Sequence, residues 1–236
     1  MNRLQQYVKE LEIELSDEQI EMFRIYYEML IETNKVMNLT AITELHEVIV
    51  KHFVDSLSLV KIYPEIMGEL KVLDLGTGAG FPGLPLKITF PHLQITLMDS
   101  LNKRVKFLQS VIDQLKLKSI EAVHGRAEEM ARNKQYREQY DLCVSRAVAN
   151  LSTLSEYCLP FVSIDGKFIS YKASDIDEEV DVAGNAIEML GGNLTEVKKL
   201  TLPGSDIERS FVIIDKVKKT PKAYPRKAGT ASKNPL

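Results

Sequence analysis

Residues 72–86 read Val-Leu-Asp-Leu-Gly-Thr-Gly-Ala-Gly-Phe-Pro-Gly-Leu-Pro-Leu. The first four residues make an apolar run long enough for one buried strand. Gly76, Gly78 and Gly80 follow at alternate positions, and Pro82 and Pro85 stand where a helix can begin. Proline is tolerated in a first helical turn because its missing N–H would have no partner there. The stretch therefore predicts strand, tight glycine turn, helix. That is the unit by which a doubly wound sheet builds a ligand crevice at the carboxyl end of a central strand. Glycines in such a turn let the chain take positive φ and let a ligand approach the backbone.

Two ligand classes use this kind of turn. Gly78, Gly80 and Gly83 match the G-x-G-x-x-G spacing of dinucleotide sites, where a pyrophosphate sits on the helix N-terminus. The frame is poor for that fingerprint, whose first glycine should directly follow the strand, because here that glycine is Gly76. Counted from there the pattern is G-x-G-x-G, preceded by Asp74. A carboxylate repels a pyrophosphate but suits a ligand with an ammonium group. The arrangement resembles motif I of the S-adenosylmethionine-dependent methyltransferases, with Asp74, Gly76, Gly78 and Gly80 as its cofactor residues. A tight turn with no ligand is the alternative.

The chain has 236 residues, 44% of them hydrophobic and 27% charged, with a formal net charge of −3. This suits one large α/β domain, or one domain with an extension. No global basic field points to nucleic acid, and no run is long enough to cross a membrane. The N-terminus lacks an apolar signal core, so a cytoplasmic location is expected. Cys143 and Cys158 lie in apolar surroundings without metal spacing and are read as core thiols in a reducing compartment. The four histidines are scattered, so no metal site is expected.

The first 65 or so residues read as helical. Ser16 and Gln19 have capping-box spacing, apolar positions over 20–31 share one face, residues 34–40 look like a break, and Thr43 is placed to cap a second helix. That helix contains Lys51-His52-Phe53-Val54-Asp55-Ser56, a polar set that a solvated helix face would also explain. Strands follow at 71–75, 93–98, 120–124, 141–145 and 166–171, alternating with helices over 84–90, from 102, over 151–161 and over 175–190. Two last strands, 193–200 and 209–217, are expected to pair antiparallel. Asp99 closes the second strand 25 residues after Asp74, where a carboxylate can take both hydroxyls of a ribose, or simply make a surface turn. Lys103 and Arg104 are expected to be exposed and basic. Glu128 or the backbone at Ala127 is placed to accept an adenine amino group; an acidic helix start is the equal alternative. Residues 216–236 hold seven Lys or Arg, no Asp or Glu, and several Pro and Gly. Such a segment is expected to be extended or mobile and either to meet a polyanion or to serve as a solubilising tail.

The acceptor can be narrowed by elimination. Methylation of an exocyclic nucleic-acid amine usually relies on an Asp/Asn-Pro-Pro-aromatic loop after the fourth strand; here that position reads Ser145-Arg146-Ala147-Val148. Pyrimidine C5 methylation needs a cysteine nucleophile, and neither cysteine lies in a Pro-Cys loop. An acceptor with its own lone pair remains, such as guanine N7, which needs positioning rather than a base. An arginine at the mouth suits guanine O6 or a neighbouring phosphate.

Asn34…Asn38-Leu39-Thr40, the 51–56 hexapeptide, Asp74 through the Gly-Phe-Pro-Gly ending at Gly83, Asp99-Ser100…Lys103-Arg104, Gly125-Arg126-Ala127-Glu128, Ser145-Arg146-Ala147 and the tail Tyr224-Pro225-Arg226-Lys227-Ala228-Gly229-Thr230 together closely resemble the bacterial 16S ribosomal RNA guanine-N7 methyltransferase family, also called glucose-inhibited division protein B. The resemblance covers nearly the whole chain. It implies an S-adenosylmethionine site lined by Gly76, Phe81, Ala127, Glu128 and Arg146. It also implies that Asn38, His52, Asp55, Arg146 and Lys172 face the guanine. Lys103, Arg104, Arg126, Lys222, Arg226 and Lys227 are the expected RNA contacts. The implied organisation is a helical extension over 1–66, a Rossmann-like methyltransferase domain over 67–217 and a basic tail over 218–236, in a monomer acting on 16S rRNA or a small-subunit assembly intermediate. A non-catalytic RNA-binding module and a small-molecule methyltransferase are the rival readings.

Overall fold

Seven strands form the frame: β1 (Lys71–Leu75), β2 (Gln94–Asp99), β3 (Ile120–His124), β4 (Tyr140–Arg146), β5 (Val162–Lys172), β6 (Gly192–Thr201) and β7 (Glu208–Lys216). In this computed structural model, which describes residues 1–146, 149–173 and 175–236, their order is β3-β2-β1-β4-β5-β7-β6. β2 pairs parallel with β3, β1 with β4 and β4 with β5, whereas β7 runs antiparallel to β5. This is the doubly wound, mostly parallel sheet that the alternation of strands and helices predicts. β5 begins at Val162, earlier than expected, with a register shift between Tyr140 and Leu142 on β4.

The chain divides into two compact units. The first comprises Met1–Glu69, Thr77–His124 and Thr201–Ile207. Its long helix, Asp17–Met37, starts at the expected capping box: Ser16 Oγ accepts the Gln19 N–H at 3.2 Å, and Gln19 Oε1 accepts the Ser16 N–H at 2.9 Å. The helix outlasts the break expected at residue 34 and ends at Asn38, a left-handed residue with φ 48°, a conformation asparagine tolerates better than most. The next helix is capped by Glu44 rather than Thr43, its carboxylate accepting the Glu47 N–H at 2.9 Å. Helix Leu45–Val48 then passes into a π turn, Ile49–Val54, before Asp55–Leu57 and Leu59–Ile62. Phe23, Tyr26 and Leu30 of the long helix are buried together with Phe53, Phe81 and Leu84.

The second unit comprises Leu70–Gly76, Gly125–Leu200 and Glu208–Leu236. β1 is buried along all but its first residue, as a central parallel strand covered on both faces must be. Leu142, Cys143 and Val144 of β4, Phe168 and Ile169 of β5, and Phe211 and Ile214 of β7 complete this core.

The tail departs from the sequence expectation. It is not extended: it packs within the second unit and ends in a short helix, Thr230–Lys233. Lys216, Thr220, Pro225 and Ala231 are buried. The physical reason is that the tail's missing counter-charges are supplied from elsewhere in the chain. Arg226 forms a salt bridge to Glu156, whose side chain is only 1% exposed, at 2.6 Å.

Candidate functional site

The boundary between the two units falls within the glycine turn, after Gly76. In the second, Asp74 near the end of β1 is fully buried, and the Leu75 carbonyl accepts the Ser145 hydroxyl at 2.8 Å. Gly76 has φ 72°, which a side chain would strain. In the first, Gly78 has φ 63° and Gly80 φ 106°. The Gly78 N–H donates to Asp99 Oδ2 at 3.0 Å, and the Thr77 N–H donates to the Met98 carbonyl at 3.2 Å. Asp99 thus ties the glycine turn to the end of β2.

Asp99 is almost wholly buried, and its Oδ1 accepts the Leu101 N–H at 2.8 Å. Arg104 reaches Oδ2 at 3.4 Å. An ionised carboxylate offers about four acceptor sites, so a ribose diol engaging both oxygens would exchange for the Arg104 contact, the longest of the three. Arg104 is accordingly half-buried beside Asp99 rather than freely exposed, whereas Lys103 is exposed.

Gly80 takes the positive φ expected of it and meets a second constraint. A Cβ there would lie 2.4 Å from Leu84 Cδ1 and 2.8 Å from the Tyr26 hydroxyl. Tyr26 donates that hydroxyl to the Ala79 carbonyl at 2.6 Å. Gly80 therefore serves packing of the turn against the long helix. Sequence reasoning missed Tyr26: the spacing puts Tyr27 on the apolar face with Ile20, Phe23 and Leu30, whereas Tyr26 is the buried ring and Tyr27 is half-buried.

His52 and Asp55 are both buried, at 8% and 1% exposure. The His52 ring stacks on Phe81 with centroids 4.4 Å apart and planes 19° from parallel. Its Nδ1 lies 3.1 Å from the Lys51 carbonyl. A carbonyl only accepts, so Nδ1 donates to it, and Nε2 lies 2.9 Å from the Thr40 hydroxyl. Asn34 in turn clamps Thr40 through two 2.9 Å bonds, one to its N–H and one to its carbonyl. Asn38, at the left-handed end of the same loop, is exposed. Thr40 was legible only as part of a turn.

In the second unit Arg146 ends β4 half-buried, in register with Tyr171. Ala147 and Val148 of the loop used to exclude amine methylation lie outside the described residues. Lys172 donates to the Ala149 carbonyl at 2.8 Å and to Glu179 at 2.6 Å. The same Glu179 oxygen accepts the Leu151 N–H, so Lys172 braces the loop before helix Leu151–Cys158. Glu128, in the short helix Ala127–Met130, is buried and accepts the Gly229 N–H at 2.9 Å. Arg126, Lys222 and Lys227 are exposed. Arg226 is not the free surface charge that the sequence suggested, since its guanidinium is held by Glu156. Glu156 is the second residue that sequence reasoning missed.

Cys143 and Cys158 are free thiols and buried. Burial pushes the Cys158 thiol well up, and the neighbouring Cys143 and the Asp74 carboxylate add to the shift. A thiol so placed is a poor nucleophile. Among the described residues no group of His, Cys, Asp and Glu is arranged to hold a metal ion.

A family model described as rRNA small subunit methyltransferase G matches residues 19–212. The chain belongs to this family. A "Ribosomal RNA small subunit methyltransferase G" from Desulforamulus reducens is 55% identical over 233 residues, spanning 99% of this chain and 97% of the relative. Another of the same name, from Lachnoclostridium phytofermentans, is 54% identical over 98% of this chain and 95% of its own length. Among solved structures, TrmN from Thermus thermophilus (13% identity, 72% of this chain and 53% of that one, TM-score 0.52) and M. jannaschii TYW2 in complex with AdoMet (12% identity, 67% and 76%, TM-score 0.51) share the fold. Membership of the methyltransferase G family therefore rests on likeness across nearly the whole chain, and the class I methyltransferase fold on the sheet and these neighbours.

Proposed function

We propose that this chain transfers a methyl group from S-adenosylmethionine to N7 of a guanine in 16S ribosomal RNA. The observation that carries the reading is the near-full-length identity to proteins named ribosomal RNA small subunit methyltransferase G. The donor set of the glycine turn suits the cofactor: a buried carboxylate for its ammonium at Asp74, a second for its ribose at Asp99, and positive-φ glycines at 76 and 78 that let it touch backbone. S-adenosylmethionine supplies an electrophilic methyl on a sulfonium.

The residues of this chain then act by position and charge. Guanine N7 carries a lone pair and no proton, so no side chain need remove one, consistent with the buried, inert thiols. Arg146 is assigned to hold guanine O6 or an adjoining phosphate by paired hydrogen bonds. Asp74, Gly76, Gly78, Gly80, Phe81, Asp99, Ala127 and Glu128 are assigned to the cofactor. Asn38, His52, Asp55 and Lys172 are assigned to the guanine side; the Asn34–Thr40–His52 hydrogen bonds and the Phe81 stack support a fixed position for His52. Lys103, Arg104, Arg126, Lys222 and Lys227 supply charge toward phosphates. Residues 1–66 serve as the RNA-side extension of a 67–217 methyltransferase domain, and the protein acts as a monomer. No helix among the described residues is long and apolar enough to cross a membrane.

The test is chemical mapping of 16S rRNA from a strain lacking the gene, by borohydride–aniline cleavage at 7-methylguanosine and primer extension. One cleavage site is expected to vanish and to return on complementation. An unchanged cleavage pattern, or S-adenosylmethionine failing to bind in calorimetry, would overturn the assignment.

A further inference from the structure

The tail is tied down by a specific set of bonds. Arg226 covers the buried Glu156 carboxylate: its Nε lies 3.0 Å from both oxygens, its Nη2 2.6 Å from Oε2, and its backbone N–H donates to Oε1 at 2.6 Å. A charge pair this enclosed holds its geometry, because moving either partner leaves the other buried and unpaired. Arg137 adds bonds to the Tyr224 carbonyl at 3.0 Å and the Thr220 carbonyl at 2.8 Å, and Thr153 Oγ1 donates to the Ala231 carbonyl at 3.0 Å. Gly229 is thus fixed on both sides along the chain. It has φ 80°, and its N–H points at Glu128 Oε1, 2.9 Å away.

Glu128 is buried in the short helix Ala127–Met130. Its helix is four residues long, too short to be stable through its own hydrogen bonds. A buried carboxylate must be satisfied by donors, and here a backbone amide of a distant segment provides one. One such bond leaves acceptor capacity on the carboxylate for an external amino group.

We propose that the C-terminal tail is a positioning strap for the adenine end of the cofactor site, in which the Arg226–Glu156 pair seats Gly229 and the Gly229 amide holds Glu128. This rests on the assignment of Glu128 to the cofactor. Gly229 and Arg226 are positioning residues: they act through Glu128, and cofactor affinity rather than RNA affinity registers their loss.

Gly229 offers a clean handle. A Cβ there meets nothing within 4 Å, so substitution strains the backbone conformation without a steric clash. Asparagine tolerates left-handed φ, alanine less, and β-branched valine least. The experiment uses the full-length protein, S-adenosylmethionine in calorimetry, and separate KM values for S-adenosylmethionine and for small-subunit RNA. Gly229→Asn is expected to resemble the wild type, and Gly229→Val to raise the cofactor Kd and KM about tenfold, the factor corresponding to the left-handed strain. Gly229→Ala is expected to fall between them, and the RNA KM to stay within about twofold in all three. Glu128→Ala should weaken the cofactor at least as much as Gly229→Val. If Glu128→Ala weakens the cofactor and a folded Gly229→Val does not, the strap is wrong and the Glu128 assignment stands. If Glu128→Ala leaves cofactor affinity unchanged, that assignment fails and the strap with it. An equal rise in both KM values, tracking a lowered melting temperature, would reduce the tail to a structural role and overturn the proposal.

Discussion

His52 lies flat against Phe81, and Phe81 follows directly on the glycine turn. The pair joins the helical segment that carries His52 and Asp55, proposed to face the guanine, to the loop proposed for the cofactor. Phe81 also lies within 5.5 Å of the Tyr26 ring, centroid to centroid, so one ring is packed from two helical segments. Replacing Phe81 by Ala empties a buried site and is expected to cost about 3–5 kcal/mol, read as a lowered urea midpoint. Phe81→Leu should restore much of that stability while S-adenosylmethionine affinity stays low, because the flat surface against His52 is gone. Wild-type cofactor affinity in Phe81→Leu would show that the stack has no part in binding.

Asp99 holds the turn from the other side, through Gly78. Asn at position 99 keeps the shape but offers one acceptor oxygen where two now serve Gly78 and Leu101. One buried N–H loses its partner, at about 1–3 kcal/mol. Asp99→Asn is expected to weaken S-adenosylmethionine by about tenfold or more, and Gly78→Val to abolish binding, since φ 63° resists a branched side chain. Calorimetry on both variants checks this; undiminished binding by Gly78→Val would place the site elsewhere.

These two contacts also mark how far the sequence could be read. The alternation of apolar runs with glycine and proline is local, so β1 and β3 emerge at their expected bounds and Asp99 at its expected strand end. What holds Asp99 is not local: its tie to Gly78 is a tertiary bond that spacing does not encode. The tail shows the same limit more sharply. Seven cations without an acid read as unfolded, because the carboxylates that tie the tail down, Glu156 through Arg226 and Glu128 through the Gly229 amide, stand 70 and 101 residues away along the chain. The crowding of Gly80 is tertiary as well, since a Cβ there would meet Tyr26 and Leu84.

Neither thiol is expected to take part in the reaction. The double change Cys143→Ala, Cys158→Ala removes two small buried groups and should cost on the order of 1 kcal/mol each. Specific activity per folded molecule should remain close to wild type. Loss of all turnover in a folded, cofactor-binding double variant would contradict direct transfer to a lone pair.

Lys216 makes stability depend on pH. It is fully buried, donating to the Leu159 carbonyl at 2.6 Å and to Thr220 at 2.5 Å, and burial lowers its pKa to about 8, with Arg137 adding to the shift and Glu138, 3.7 Å away, opposing it. Between that value and the unfolded value of 10.5 the folded chain binds fewer protons than the unfolded one, so stability rises with pH. Buried Lys87 shifts in the same direction. Above about pH 9 the sign is opposed by Cys158, whose raised pKa lets the unfolded thiol ionise first. Urea unfolding should therefore show a gain of about 1 kcal/mol from pH 8 to 9, flattened in Lys216→Met. An equal slope in that variant would assign the effect to other groups.

The tail carries both a structural charge and free ones, and the two are separable. Arg226 is paired with Glu156, whereas Lys222, Lys227 and Lys233 are exposed. Removing 218–236 would strip Glu156 of its cation and leave a buried carboxylate uncompensated, a loss of about 3–5 kcal/mol. The truncated chain is thus expected to melt earlier and to lose activity at every salt concentration, so truncation cannot isolate the electrostatic role. Changing Lys222, Lys227 and Lys233 together to Gln leaves the Glu156 pair intact. Each cation that meets a phosphate contributes about 0.7–0.9 to the slope of log affinity against log salt. The triple variant should therefore bind RNA more weakly with a slope shallower by about 2, while its melting temperature and S-adenosylmethionine affinity stay at wild-type values. Filter binding of small-subunit RNA across a salt series decides the matter. A slope identical to wild type would remove these lysines from the RNA surface and leave the tail with its structural contacts alone.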